Sequence, residues 1–185
     1  MFEVIKQFTE WEIEEVTRFY AESCKNIPYF QKMFNTVDCT EQIYTSFKPD
    51  VTAAIRQGGC FGLYAGGILR AILLSVDWYK YKYDYTILFE HMFPKEEKST
   101  EAIDKFINDG DGTIFIFAVA TQSKFQAKGY ATKLIKKFNS IVKKGNRVVS
   151  DCTDPSFNTM WLKNGYQLIE VDTDGEKLIL AERNM

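Results

Sequence analysis

Hydrophobic and polar residues alternate with two different periodicities along this chain, and these predict the order of its helices and strands. Alternation with a period of two indicates strands, and apolar residues three or four positions apart indicate helices. The predicted order is β, α, α, β, β, inserted helix, β, α, β, α, β, β. This order predicts an α+β fold with a mixed, mostly antiparallel central sheet of about seven strands flanked by helices.

The first half of the chain contains three predicted strands and two helices. The predictions are a strand at Phe2–Phe8, a helix from Thr9 to about Ser23, a helix from Pro49 to Gln57, and a hairpin of Cys60–Tyr64 with Ile68 to about Tyr83. Thr9 and Glu12 form the sequence signature of a capping box. The irregular, aromatic segment Lys25–Phe47 is interpreted either as a short helical excursion or as part of a binding wall.

The far end of that long second hairpin strand is rich in tyrosine. In the run Trp78–Tyr85, an extended backbone places Tyr79, Tyr81, Tyr83 and Tyr85 on one face. Such a ladder indicates cross-strand packing, an acceptor groove or a subunit contact.

The second half of the chain contains four predicted strands and three predicted helices. The first are a helix at Pro94–Asn108, a strand at Thr113–Thr121, and an amphipathic helix that is opened by Gln126–Ala131 and broken at Gly145. They are followed by a strand at Arg147–Cys152, a helix at Pro155–Asn164, and a hairpin of Tyr166–Val171 with Lys177–Ala181 around Asp174-Gly175.

The strand, loop and helix between Thr113 and Val142 suggest an anion-binding site. The first turn of a helix leaves backbone N–H groups without internal partners, and these groups bind anions. Gly129 can adopt backbone angles that other residues avoid, and the small Ala127 and Ala131 let a ligand approach the main chain.

Charge is distributed unevenly in a way that supports this interpretation. The whole chain has a net charge of −2, yet Thr113–Ser150 contains eight Lys and Arg residues and no Asp or Glu. Lys124 and Lys128 lie in the loop itself and can meet a phosphate, whereas the later lysines fit the solvated face of a helix. The patch lacks the interleaved aromatics of a nucleic-acid platform, and the acidic remainder of the chain suits a cationic or neutral partner.

Composition predicts one soluble domain spanning residues 1–185, with 45% hydrophobic residues available for a core. We find no apolar run of about 18 residues and no signal peptide, so we expect no membrane association and a cytoplasmic location. Cys24, Cys39, Cys60 and Cys152 are widely scattered, and His91 is the only histidine. This spacing predicts free, buried thiols and no metal site.

The loop resembles the signature of the GNAT superfamily of N-acetyltransferases. That signature is Gln or Arg, two residues, Gly, one residue, then Gly or Ala, placed after the fourth strand; Gln126, Gly129 and Ala131 fill it. The predicted element order is also similar to the family's, with an extra helix before the fourth strand.

The resemblance implies that acetyl-CoA is the donor and that its acetyl group passes directly to an amine of a small molecule or peptide. The implied cofactor-binding residues are Val119, Thr121, Gln126, Ala127, Lys128, Gly129, Tyr130, Ala131 and Asn158. Backbone amides of the loop would hold the pyrophosphate, and main-chain groups near Val119 and Thr121 would pair with pantetheine. Homodimers are common in the family, so a homodimer is a further expectation.

The sequence departs from the family at the proton donor. The family's tyrosine lies four residues before the glycine that ends the later helix, and counting back from Gly165 reaches Trp161, whose indole cannot fill that role. Tyr166 follows the glycine, in a position that is ordinarily hydrophobic. The general acid is therefore unassigned.

The general base is equally open. The candidates are Glu90, His91, Asp151 and Asp154. Cys152 has no base partner visible in the sequence and is interpreted as structural. Because the usual acid is missing, a non-catalytic acyl-CoA sensor or interaction module is the alternative function, and an acyltransferase for longer chains is a third hypothesis.

Overall fold

The computed structural model describes residues 2–81, 105–107, 112–152, 157–173 and 176–185. The strands are β1 (Glu3–Gln7), β2 (Cys60–Ala65), β3 (Ile68–Asp77), β4 (Thr113–Thr121), β5 (Arg147–Asp151), β6 (Gln167–Thr173) and β7 (Glu176–Asn184). The helices within these ranges include α1 (Ile13–Cys24), α2 (Pro28–Phe34), α3 (Thr40–Arg56), α4 (Tyr130–Ile141) and α5 (Asn158–Lys163). Two short 3-10 turns occur at Glu10–Glu12 and Ser123–Phe125.

The seven strands form one mixed sheet in the order β1-β2-β3-β4-β5-β7-β6. The β4–β5 pair is parallel, with Thr113 opposite Arg147 and Ile116 opposite Ser150. The β1–β2, β2–β3, β5–β7 and β6–β7 pairs are antiparallel. The predicted α+β fold with a mixed, mostly antiparallel sheet of about seven strands and flanking helices is confirmed.

The chain divides into two compact units, each with its own core. The first comprises Met1–Leu74 and Ala118–Phe138, and its fully buried side chains include Val16, Ile43 and Leu63. The second comprises Ser75–Phe117 and Asn139–Met185, and it buries Val149 and Leu180. The single domain expected over residues 1–185 stays a prediction.

The tryptophans are divided unevenly between the units. Trp11, in the first unit, is 96% exposed. Trp78 and Trp161, both in the second unit, are 6% and 3% exposed.

The N-terminal capping box is confirmed. The Glu12 carboxylate accepts hydrogen bonds from the Thr9 N–H and the Thr9 hydroxyl, each at 3.0 Å. The helix that follows begins as the 3-10 turn Glu10–Glu12 and becomes α1 at Ile13.

The segment Lys25–Phe47 contains the short helix α2, which agrees with the first of its two interpretations. Phe30 lies in α2, and its ring packs edge-on against Phe47 of α3, with ring centres 5.5 Å apart. Phe47 also meets Tyr20 of α1 at 5.5 Å. Phe30 and Phe47 are buried, so these two aromatics pack the core and are not part of a binding wall.

The predicted start of the second helix at Pro49 is wrong, because α3 begins nine residues earlier, at Thr40, and contains Pro49 in its interior. A proline there removes one backbone hydrogen bond and costs about 3 kcal/mol. Ile43, Phe47 and Val51 are buried at helical spacing on both sides of it. Burying such side chains stabilises by about 1.5–3 kcal/mol each, which outweighs the proline penalty.

The predicted extension of the hairpin strand to about Tyr83 is also wrong. The strand β3 ends at Asp77, and residues 78–81 are helical. The Lys80 N–H donates to the Asp77 carboxylate at 3.2 Å, which is the pattern of a helix cap. Tyr79 and Tyr81 are thus not part of a strand ladder; Tyr83 and Tyr85 lie outside the described residues.

The C-terminal elements follow the predicted order with shifted ends. β5 stops at Asp151, one residue short of the prediction, and β7 continues to Asn184 instead of Ala181. α5 is described from Asn158 to Lys163. The Asp154-Pro155 cap, the Asp174-Gly175 turn and most of the Pro94–Asn108 helix lie outside the described residues, although residues 105–107 are helical.

All four cysteines are free and buried, as predicted. Every helix within the described ranges is too short or too polar to span a lipid bilayer.

Candidate functional site

The candidate site is the connection between β4 and α4, which lies entirely in the first compact unit. The parallel pairing of β4 with β5 runs to Ile116, and β4 then continues to Thr121. Val119 and Thr121, the residues predicted to meet pantetheine through their main chains, are partly exposed in this last stretch. The 3-10 turn Ser123–Phe125 follows the strand, and α4 begins at Tyr130.

Two residues of the loop have a left-handed backbone. Ala127 has φ +59° and Gly129 has φ +79°. A glycine adopts this region without cost, but an L-residue such as alanine pays a steric penalty of about 1–2 kcal/mol. The sequence suggested only that Ala127 is small; its left-handed backbone is a structural finding that marks a strained turn, and strain of this kind concentrates at functional sites.

Open space surrounds the main chain at Gly129. A side-chain carbon built on this residue would have no atom of the described chain within 4 Å. The first bond of the α4 ladder at this point runs from the Lys133 N–H to the Gly129 carbonyl at 3.0 Å. The N–H groups of Tyr130 and Ala131 therefore precede the intrahelical ladder, where donors for an anion are found.

The amphipathic helix is anchored as predicted on one side. Leu134, Ile135 and Phe138 of α4 are buried, and Phe138 meets the Phe61 ring with centres 6.1 Å apart. Ile141, predicted as part of the apolar stripe, is 45% exposed, because the helix ends there. The buried stripe thus anchors α4 against β2.

Positive charge in the loop collects around one aromatic ring. The Lys124 and Lys128 ammonium groups lie 5.1 Å and 5.2 Å from the centre of the Phe125 ring. Lys133, one turn into α4, instead makes an ion pair with Glu3 at 2.7 Å. The two loop lysines thus remain available to an anion, while Lys133 serves the helix surface, as the sequence suggested.

A third cation on the same ring was not identified from the sequence. The guanidinium carbon of Arg70 lies 3.7 Å from the centre of Phe125, and Arg70 is only 7% exposed. The available signal was a single charged residue inside the otherwise apolar run Ile68–Leu74. Charged residues are rarely buried unless they have a partner, so an arginine in such a run indicates a specific contact.

Asn158, the remaining predicted cofactor residue, belongs to the second unit. It begins α5, and its side-chain oxygen is buried without a hydrogen-bond partner in the described chain. A buried acceptor of this kind calls for a donor such as an amide, a hydroxyl or a water molecule. The other eight predicted cofactor residues form one nearly continuous segment, Val119–Ala131, and Asn158 stands apart from them in sequence and in unit.

Trp161 occupies the core of the second unit. It is 3% exposed and packs edge-on against Tyr166, with ring centres 4.8 Å apart. The Tyr166 hydroxyl donates to the Asn139 side-chain oxygen at 2.9 Å, and burial raises the pKa of Tyr166 well above its usual range. Neither ring is placed as an exposed proton donor.

Cys152 is likewise unsuited to nucleophilic chemistry. It is buried at the end of β5, and burial together with the nearby Asp151 charge raises the pKa of its thiol to about 12. The protonated thiol is a poor nucleophile, which agrees with its structural interpretation. Of the four candidate bases, Glu90, His91 and Asp154 lie outside the described residues, and Asp151 is partly exposed at the end of β5. The general base stays unassigned.

The described parts of the chain contain no cluster of three His, Cys, Asp or Glu residues placed to hold a metal ion. The loop does fit a phosphate-bearing ligand: it offers open space at Gly129, donors at the start of α4 and two cations from its own residues.

No protein-family model and no curated protein matches the sequence, but solved structures match its fold. The Drosophila melanogaster polyamine N-acetyltransferase that forms N-acetylagmatine is similar at a TM-score of 0.68 and 14% identity, over 100% of both chains. The PaiA N-acetyltransferase of Thermoplasma acidophilum, solved with coenzyme A, gives 0.63 and 14%, again over 100% of both. A GNAT-family acetyltransferase from Streptococcus agalactiae gives 0.65 and 16%, covering 99% of this chain and 95% of its own.

Proposed function

The protein has the fold of the GNAT acetyltransferases, and we propose that it is an acetyl-CoA-dependent N-acetyltransferase. The observation that carries the proposal is the loop between β4 and α4. It combines a left-handed Gly129 in open space, the N-terminus of a well-anchored helix, and a local excess of positive charge. An acyl-CoA needs hydrogen-bond donors for its phosphates and, next to them, a strand-like backbone for its pantetheine arm.

The binding roles follow from the positions of the residues. Main-chain N–H groups from Gln126 to Ala131 would hold the pyrophosphate, with Lys128 adding charge. The end of β4, at Val119 and Thr121, would offer its main chain to the amide groups of the pantetheine arm, as an edge strand does for an added strand. Asn158 is proposed as a further contact through its unpartnered side-chain oxygen.

Bound acetyl-CoA would supply the acetyl group for direct transfer to a neutral amine. The protein's own contribution would be to hold the amine nitrogen against the thioester carbonyl carbon, from which the CoA thiolate leaves, and such positioning alone lowers a barrier substantially. Tyr166 is not proposed as an acid, because its hydroxyl is committed to Asn139 inside the core.

We propose a cationic small-molecule amine as the acceptor. Outside the segment Thr113–Ser150 the chain is strongly acidic, which favours a cationic ligand at long range. Two proteins of the same fold are a polyamine N-acetyltransferase and an agmatine N-acetyltransferase. A peptide amine is the second class of acceptor to be tested.

The proposal is tested by calorimetric titration with acetyl-CoA, followed by release of free CoA in the presence of polyamines, agmatine, arylalkylamines and lysine peptides. Binding with amine-dependent release of CoA supports the transferase. Binding without turnover on any amine would favour the acyl-CoA sensor instead. Absence of binding would refute both.

A charge-reversal variant locates the site. Gly129→Glu places bulk and a negative charge where the pyrophosphate is expected, so we expect CoA affinity to fall by more than about tenfold, or about 1.4 kcal/mol. The matched control is Gly67→Glu in the β2–β3 turn, where φ is +75° and the added side chain also meets open space. Both variants carry the same backbone strain, and equal CoA affinity in the two would contradict the assignment of the loop.

A further inference from the structure

Arg70 is a buried cation whose partner is an aromatic ring. It lies on β3, its guanidinium carbon is 3.7 Å from the centre of Phe125, and its Nε donates to the Ala65 carbonyl at 3.3 Å. Arg70 makes no ion pair with a carboxylate of the described chain. A buried charge without a counter-ion is costly, and the face of an aromatic ring offsets only part of that cost.

The same ring gathers the loop's own cations. Lys124 and Lys128 lie 5.1 Å and 5.2 Å from its centre, and within the described residues neither is paired with an acid. Three positive charges therefore surround Phe125, at the entrance to the loop. An anion bound nearby would relieve their mutual repulsion, so part of its binding energy would come from this arrangement.

Arg70 also contacts the loop at both ends of its 3-10 turn. Its main-chain carbonyl accepts the Gln122 N–H at 3.3 Å, just before the turn. Its side chain stacks on Phe125, the last residue of the turn, and the Phe125 N–H in turn donates to the Gln122 carbonyl at 2.8 Å. The left-handed Ala127 and Gly129 follow two and four residues after Phe125, so Arg70 contacts the chain just before the strained part of the loop.

We propose that Arg70 is a positioning residue of the phosphate-binding loop, which it orients by stacking on Phe125 while adding a buried positive charge to the loop's anion site. This inference rests on the proposed function for the identity of the ligand. It goes beyond that function by assigning the loop's geometry to a side chain that does not itself belong to the loop.

The test measures dissociation constants for CoA, inorganic pyrophosphate and pantetheine, which lacks phosphate, by calorimetry at low and at moderate salt. The variants are Arg70→Met, Arg70→Lys and Phe125→Leu. Arg56→Met, which removes an exposed arginine from α3, is the control for net charge. Thermal unfolding of each variant identifies the temperature range in which it is folded.

We expect Arg70→Met to weaken CoA and pyrophosphate by about tenfold, the scale of a desolvated cation–π pair, while pantetheine and the Arg56→Met control stay unchanged. Arg70→Lys keeps the charge but loses the flat stacked group, so it should weaken CoA by about threefold. Arg70 and Phe125 are expected to act as one unit. The dissociation constant of the double variant Arg70→Met, Phe125→Leu for CoA should therefore be within about twofold of that of the weaker-binding single variant.

The outcomes separate this inference from the proposed function. If the unaltered protein binds CoA and Arg70→Met binds it equally well, the inference is overturned and the function stands. If CoA does not bind at all, but pyrophosphate binds and Arg70→Met weakens its binding, the inference stands and the proposed function fails. Equal weakening of pantetheine would show that Arg70 supports only the fold, and strictly additive losses in the double variant would show that it acts without Phe125.

Discussion

The left-handed backbone at Ala127 predicts that one substitution has opposite effects at two neighbouring positions. Ala127→Gly removes a steric penalty of about 1–2 kcal/mol in the folded loop, where φ is +59°. It also frees the unfolded chain, which costs about 0.4–1 kcal/mol. The net expectation is a gain of about 0.5–1 kcal/mol in the free energy of unfolding.

Ala131→Gly is the matched control. Ala131 is the second residue of α4, where alanine is favoured and glycine destabilises by about 0.5 kcal/mol or more. The two variants should therefore differ by about 1–1.5 kcal/mol with opposite signs, which corresponds to a separation of about 3–5 °C in melting temperature for a chain of this size.

The assay is urea and thermal unfolding followed by circular dichroism at a helix-sensitive wavelength. A stabilised Ala127→Gly with a destabilised Ala131→Gly supports the left-handed geometry. If Ala127→Gly loses as much stability as Ala131→Gly, Ala127 is not left-handed and the strained-turn argument for the loop is refuted. CoA affinity of the stabilised variant then reports whether the strain itself contributes to binding.

Two further predictions concern the second unit and the thiols. Tyr166→Phe leaves the Asn139 oxygen without its donor and should cost about 1–2 kcal/mol in stability by denaturant unfolding; on any amine substrate found, kcat should stay within about twofold, whereas a loss of about a hundredfold would identify Tyr166 as a general acid after all. Burial raises the pKa values of the Cys24 and Cys152 thiols to about 12, so they stay protonated in the folded protein while unfolded thiols ionise from about pH 8.5. The folded state then holds more protons, and stability should fall between about pH 8.5 and 12; a stability that rises across that window, or fast native-state reaction with a thiol reagent at pH 8, would contradict this.

Hydrophobic periodicity was sufficient to predict a mixed sheet of about seven strands and the helices α1 and α4. Strand β4 was predicted with its observed bounds, because Thr113–Thr121 is an unbroken β-rich run followed by loop residues. The capping box at Thr9 was equally readable, since both of its partners are close in sequence. Both features were predictable because the residues that produce them are close together in the sequence.

The two mistaken boundaries have different physical causes. Pro49 reads as a helix start, yet the buried Ile43, Phe47 and Val51 carry the helix through it. The alternation of lysine and tyrosine after Trp78 predicts a strand, yet residues 78–81 form a helix that is capped by the Asp77 carboxylate. In the first case the deciding contacts depend on three-dimensional packing that a single sequence does not reveal. In the second case the Asp77 cap is local, but the alternation of lysine and tyrosine concealed it.

The candidate site was predictable as a segment but not as a geometry. The motif residues Gln126, Gly129 and Ala131 mark the loop in the sequence. The contact of Arg70 with Phe125 joins residues 55 positions apart, and no periodicity encodes it. The unusual backbone of Ala127 was hidden as well, because alanine is not a residue from which a left-handed conformation is expected.

The uneven placement of the three tryptophans determines what intrinsic fluorescence can report. The two buried indoles, Trp78 and Trp161, belong to the second unit, and Trp11 of the first unit is already in contact with water. A red shift of the emission on denaturation will therefore follow the loss of the second unit's core, while Trp11 adds a constant red-shifted background. The loop between β4 and α4 belongs to the first unit, so its opening is optically silent by this method unless a reporter is introduced there.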